Sequence, residues 1–220
     1  ASVAARLKGA AINLLIDSDL CRNTAIRVPN GTARDPRVAT VQIDANVHAC
    51  PFEERDVADE DLFSSFAERV RSKISPLIDN PLVDTLWRDI DQPPEGNLGR
   101  RLARARHGIE ATWGASSLEL PLSRACDTTS FRWFTAHMLA HLPRFWEIHN
   151  QGLAEYRRIN RVRSQSHPVP DLACDDDWIE APFWVWSAAD PRRRAVFARH
   201  RDDVIQLTDR ETLLESIPLS

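Results

Sequence analysis

The chain has 220 residues, 43% of them hydrophobic and 27% charged, an ordinary globular composition that excludes a disordered or fibrous polymer. Its net charge of −4, with acids and bases interspersed, gives no overall pull toward nucleic acid or an anionic membrane. No apolar run approaches the roughly 20 residues that span a bilayer, and no basic-then-apolar leader opens the sequence.

The four cysteines, Cys21, Cys50, Cys126 and Cys174, lie far apart and form no C-x-x-C pair. In a chain of this size they resemble neither a disulfide framework nor a zinc site. Scattered thiols fit a reducing compartment, so a cytoplasmic protein is expected. Residues 1–9 read as the last turns of a helix closed by Gly9. The far end stops within an apolar stretch, Leu213 to Ile217, so an internal piece of a larger protein is expected.

Ala11 to Asp17 is a nearly continuous apolar run, the pattern of a strand covered on both faces in a parallel sheet. It ends in Asp17-Ser18-Asp19, at the carboxyl edge where open α/β sheets bind ligands. Thr24–Val28 and Arg37–Ile43 read as short strands joined by a turn at Pro29-Asn30-Gly31. Asp59-Glu60-Asp61 opens a helix whose apolar positions run to Ile74 and which Pro76 ends. A short helix follows from Pro81 through Trp87 and Ile90, then a loop at Gln92–Gly96. A basic amphipathic helix spans about Asn97 to Trp113 and closes at Gly114.

Leu118–Ser123 reads as a strand that Pro121 makes irregular or places at an edge. The longest helical pattern runs from about Thr129 to Arg163 and is kinked or divided by Pro143. His167–Asp171 is a rigid linker. Ile179–Trp186 is an aromatic strand, and Arg194–His200 with Val204–Thr208 forms a hairpin around Arg201-Asp202-Asp203. The expected segments are therefore 1–128, a partial α/β core; 129–166, a kinked helical stretch; and 167–220, a linker with a small β-rich part.

Several groups carry possible chemistry. His137 and His141 have the i, i+4 spacing of metal ligands, but the intervening residues lack the glutamate of a zincin and no third ligand follows, so edge-of-core histidines and no metal are expected. The arginines at 157, 158, 161 and 163 suit a phosphate or carboxylate, or else solvate a helix end where the dipole favours cations. Arg100, Arg101, Arg104 and Arg106 pose the same alternatives. Trp178, Phe183, Trp184 and Trp186 form core or stack on a ligand. Asp17 and Asp19 either cap the chain locally or hold a metal, an amine or sugar hydroxyls. No G-x-G-x-x-G, P-loop or G-x-S-x-G occurs, which excludes nucleotide binding by a familiar glycine loop.

Asn13-Leu14-Leu15-Ile16-Asp17-Ser18-Asp19, followed by the strand Thr24–Pro29, resembles one element of the cysteine-adding enzymes of bacillithiol biosynthesis, with Ser18 where those ligases carry a histidine. Leu118–Pro121, Glu155–Arg161, Asn160–Asp171 and Asp176–Trp186 are similar to segments of a set of uncharacterised bacterial proteins distantly related to them. The resemblance implies a partial Rossmann-like parallel-sheet core with long helical insertions, and a ligase joining an amino acid to a small amine or amino-sugar conjugate. On that reading Asp17 and Asp19 bind a substrate amine or hydroxyls, Glu119 faces the same crevice from a neighbouring strand, and Asn150, Arg157 and Asn160 line a pocket for an anionic group. No catalytic base, cofactor or oligomeric state is assigned. The alternative is a non-catalytic small-molecule binding or scaffold protein that keeps the fold, and an RNA-binding module built on the helix arginines ranks below both.

Overall fold

A computed structural model describes residues 2–46, 48–75, 77–88, 90 and 96–218. The expected helix stop at Pro76 and most of the loop at 92–96 lie outside these residues. The chain is a mixed α/β protein that divides into two compact units, Ala1–Ala125 and Cys126–Ser220. The helical stretch at 129–166 and the β-rich part at 167–220 thus fall in one unit. No helix among the described residues is long and apolar enough to cross a membrane.

The first unit contains α1 (Ser2–Arg6), β1 (Ile12–Leu15), β2 (Leu20–Cys21), β3 (Ala25–Thr32), β4 (Asp35–Gln42) and β5 (Cys50–Pro51). After a 3₁₀ turn at Phe52–Glu54 come α2 (Glu60–Ser64), α3 (Phe66–Ile74), α4 (Val83–Arg88), α5 (Leu98–Thr112), β6 (Leu118–Pro121) and α6 (Leu122–Cys126). The close of α1 departs from expectation. Lys8, at φ 52°, takes the left-handed position, donating to Ala5 O, while the Gly9 N–H donates to Ala4 O. Gly9 is therefore the second residue of a Schellman close rather than its left-handed one.

Strands β1 and β6 form a parallel pair in the register Ile12↔Leu118 to Leu15↔Pro121. The expected double coverage of β1 is not found: Ile12, Leu14 and Ile16 are 60%, 43% and 55% exposed. Only the face carrying Asn13 and Leu15 is packed, because among the described residues β1 has a single strand neighbour and α5 lies on one side. Strands β3 and β4 form a hairpin whose turn falls at residues 33–34, with Thr32 facing Asp35, beyond the expected Pro29-Asn30-Gly31. Gly31 instead sits inside the ladder at φ 86°, where an added Cβ would lie 2.3 Å from Asp35 O.

The core of this unit gathers Val28 and Val41 from the hairpin with Phe63, Phe66, Val70, Trp87, Leu98 and Ala105 from the helices. Asp59 caps α2 by accepting from the Leu62 N–H. The single helix expected from 59 to 74 is interrupted at Ser65, whose hydroxyl bonds back to Leu62 O.

The second unit contains α7 (Thr129–Ala140), α8 (Leu142–Ile159), β7 (Cys174–Asp175), β8 (Trp178–Ser187), β9 (Asp190–Arg201), β10 (Val204–Thr208) and β11 (Leu213–Pro218). The chain breaks between α7 and α8 at His141, one residue before Leu142-Pro143 enter the first turn of α8. The five strands form the largest sheet, antiparallel throughout in the order β11-β10-β9-β8-β7. Asp202 and Asp203, at φ 50° and 59°, make the two-residue turn between β9 and β10. Alternation puts Ile179, Ala181 and Phe183 of β8 and Val196 and Ala198 of β9 against Leu139, Leu142 and Phe145 of α7 and α8.

Candidate functional site

In the first unit the site is set by α5. Asn97 caps this helix by accepting from the Arg100 N–H, and its amide donates to Glu53 O. Leu98, Arg101, Ala105 and Ile109 are buried at helical spacing. Arg101 is itself only 1% exposed, paired with Glu60 at 2.6 Å and lying 4.2 Å over the Phe63 ring. This fixes the rotation of α5, so that Gly99, Leu102, Ala103 and Arg106 face β1 and β6. A Cβ on Gly99 would stand 3.2 Å from the Phe52 Cβ, so glycine permits the close approach of α5 to the Phe52 turn.

Between these elements lies a crevice of about 270 Å³ at the carboxyl ends of β1 and β6. Leu15, Ile16, Phe52, Leu102 and Pro121 supply an apolar lining, and Asp17, Arg100 and Arg106 supply charge. Asp17 is tied locally: the Ser123 N–H and hydroxyl donate to its carboxylate at 2.9 and 2.5 Å, and the Glu53 N–H donates to its carbonyl. Its two oxygens offer about four acceptor positions, so two bonds from Ser123 leave capacity for a further donor. Asp19 is exposed, accepts from the Leu20 N–H, and is not among the described lining residues. Arg100 is exposed, and its guanidinium has no protein partner among the described residues.

Glu119 faces a depression adjoining the crevice, which shares Leu15, Arg100, Ala103 and Pro121 with it. Its register partner Asn13 donates to its Oε1 at 2.9 Å. Arg106 bridges two carboxylates, reaching Glu110 at 2.6 Å and Glu119 at 2.5 Å, and its pKa is raised chiefly by the hydrogen bond to Glu110. His107 Nδ1 lies 3.7 Å from Glu119, is buried, and has no hydrogen-bond partner among the described residues. The ligand-type atoms of His107, Glu110 and Glu119 all fall within 4.8 Å of one another. Arg106 already serves both carboxylates as their cation, so a divalent ion would have to displace it. Asn13, His107 and Glu110 were not singled out in the sequence. The only signal was Arg106 and Glu110 at i, i+4 on a helix, a common surface pattern.

The second unit carries the other expected residues. Asn150 and Arg157 do line a common cleft of about 370 Å³ with Ala154, Val162, Gln165 and Asp171. Both are engaged with the chain that follows α8. The Arg157 guanidinium, 7% exposed in its residue, donates to the carbonyls of Gln165, His167 and Val169 and to both oxygens of Asp171. Every one of its nitrogens is occupied, so it acts as the clasp of the 165–171 linker. Asn150 makes a two-way bond with the backbone of Leu172, whose carbonyl also accepts from the Trp146 indole. Asn160 lies apart from the cleft, donating to Tyr156 O at the close of α8.

His137 and His141 are exposed rather than at the core edge. Their rings are 4.4 Å apart, and His141 Nδ1 contacts His137 O. Trp178 and Trp184 are covered by Arg199 and Arg193 at 4.4 and 4.6 Å, while Phe183 packs in the core. Compared with protein-family models, with curated proteins and with solved structures, the chain returns no match.

Proposed function

We propose that the first unit binds a small molecule carrying both an amine and an anionic group, an apolar amino acid being the simplest case, in the crevice at the carboxyl ends of β1 and β6. The observation that carries this reading is Arg100, a guanidinium without a protein partner among the described residues, on the rim of an apolar crevice that also holds Asp17. A carboxylate suits the planar fork of Arg100. An ammonium suits the remaining lone pairs of Asp17, and an aliphatic or aromatic side chain suits the surface of Phe52, Leu102 and Pro121.

The ligase reading extends this proposal by making the bound amino acid a substrate, and the Rossmann-like reading of the core rests on β1–β6, the single parallel pair among the described residues. The polar lining residues Asp17 and Arg106 already hold protein partners, which favours binding without chemistry over the ligase. Calorimetry with leucine and phenylalanine, beside N-acetyl-leucine and leucinamide, tests the reading. The free amino acids bind, blocking either end weakens binding at least about tenfold, and Arg100→Ala does the same with the fold intact. Equal binding of leucine and leucinamide, or no binding of either free amino acid, overturns it.

A further inference from the structure

Strands β2 and β5 are only two residues long, and their register sets Leu20 opposite Pro51 and Cys21 opposite Cys50. Directly opposed residues of an antiparallel pair project from one face, with Cα atoms about 4.5–5.5 Å apart. A disulfide requires Cα atoms about 4.4–6.8 Å apart, so the backbone is already in range. Both side chains are free thiols and both are buried, at 6% and 3% exposure. The ladder continues in the bonds Phe52 N–H to Asp19 O at 3.0 Å and Glu53 N–H to Asp17 O at 2.9 Å. The thiol pair therefore adjoins the segments that carry Asp17 and Phe52, two residues that line the crevice.

We propose that Cys21 and Cys50 are a dithiol–disulfide pair that latches these segments. The oxidant class is a low-molecular-weight disulfide. One cysteine thiolate attacks it and releases the first small thiol, leaving a mixed disulfide on the protein. The second cysteine thiolate attacks the protein sulfur of that mixed disulfide and releases the second small thiol. The two cysteine protons end on the two released thiolates, and the two electrons lost by the pair reduce the small disulfide.

Burial raises the Cys50 thiol above its usual value against the opposing pull of Arg55, and the neighbouring Cys21 adds to the rise. The buried Cys50 thiol is consequently a poor nucleophile until the two-residue ladder opens. Once formed, the bond closes a ring around the β3–β4 hairpin and removes freedom from the unfolded chain. The inference is independent of what the crevice binds.

The test uses the whole chain with Cys126→Ser and Cys174→Ser, incubated folded with oxidised glutathione, alkylated, and digested with trypsin without reduction. The expected product is the peptide 9–22 joined to the peptide 38–55, two hydrogens lighter than their sum and separated by reductant. The oxidised chain also melts at a higher temperature than the reduced one. Glutathione adducts on Cys21 or Cys50, or two thiols that remain alkylatable throughout, overturn the proposal. The unsubstituted chain gives the same peptide readout and is the second sample, which covers poor folding of the serine variant.

Discussion

The two units hold their strands in different ways. In the second, five consecutive strands share one ladder, and the sheet buries one face against α7 and α8. In the first, β1–β6, β2–β5 and β3–β4 are three separate pairs. Much of what joins them is side chain to backbone. Asp44 is fully buried and accepts from the Arg55 guanidinium at 2.7 Å and from the N–H groups of Ala45, Ala58 and Asp59. Asp17 plays the corresponding part for Ser123. A continuous sheet satisfies its own polar groups and leaves few of them converging on one place. A discontinuous one depends on polar side chains, and that is the unit in which Asp17, Arg100, Arg106 and Glu119 surround adjoining hollows.

The largest effect expected from this contrast is at Asp44. Asp44→Ala leaves Arg55 buried without its carboxylate and should cost about 3–5 kcal/mol, confined to the first unit. Denaturant unfolding followed by hydrogen exchange resolved along the chain would show it; a loss spread equally over both units would break the contrast. At Arg157 the expected cost is about 2–3 kcal/mol in the second unit, because the variant Arg157→Ala removes charged bonds to a linker rather than to the sheet. Arg157→Lys should restore little of it, since an ammonium cannot reproduce the five-donor fork. Full recovery in the lysine variant would reduce the role of Arg157 to its charge.

Much of this arrangement was legible in the sequence, and the misses have physical causes. The caps and closes of α5 and the hairpin around Asp202-Asp203 were readable because their signals are local: Asn97 and Gly114 bound the helix, and two aspartates tolerate the left-handed turn. The break before Pro143 was readable for the same reason. Coverage of β1 was not, because an apolar run states what a strand prefers and not how many neighbours it has. Asn150 and Arg157 line one cleft and Asn160 does not, and most of the partners of the first two are backbone groups of a linker, which carry no sequence signature. The facing of Cys21 and Cys50, and of Asn13 and Glu119, depends on register between strands far apart in the chain.

Two smaller effects sharpen the contrast further. Ala198, only 1% exposed in the sheet core of the second unit, has no room to grow. Ala198→Leu should cost about 1–3 kcal/mol by overpacking, whereas Leu14→Thr on the open face of β1 should stay within about 0.5 kcal/mol. Urea titrations of both variants measure this directly, and a reversed order would mean that the open face of β1 is covered in solution.

Acid should act on the second unit through Asp190 and Asp209, which both approach Arg194. The hydrogen bond from Arg192 lowers Asp190 from 3.8 to about 2, and the Thr212 N–H is the chief cause of the lowered value at Asp209. Because folding lowers both values, their contribution is complete above the unfolded carboxylate range and is lost as pH falls from about 4 toward 2. Melting temperatures across that window should fall, and Asp190→Asn should flatten part of the slope.

The central claim is that Arg100 is held open for a ligand, and the most direct measurement is leucine binding by calorimetry to the unmodified chain and to Arg100→Ala. The account predicts binding to the first, at least about tenfold weaker binding to the second, and melting curves for the two that coincide within about 0.5 kcal/mol. Equal affinity in both proteins, or no binding of leucine to the unmodified chain, would contradict it.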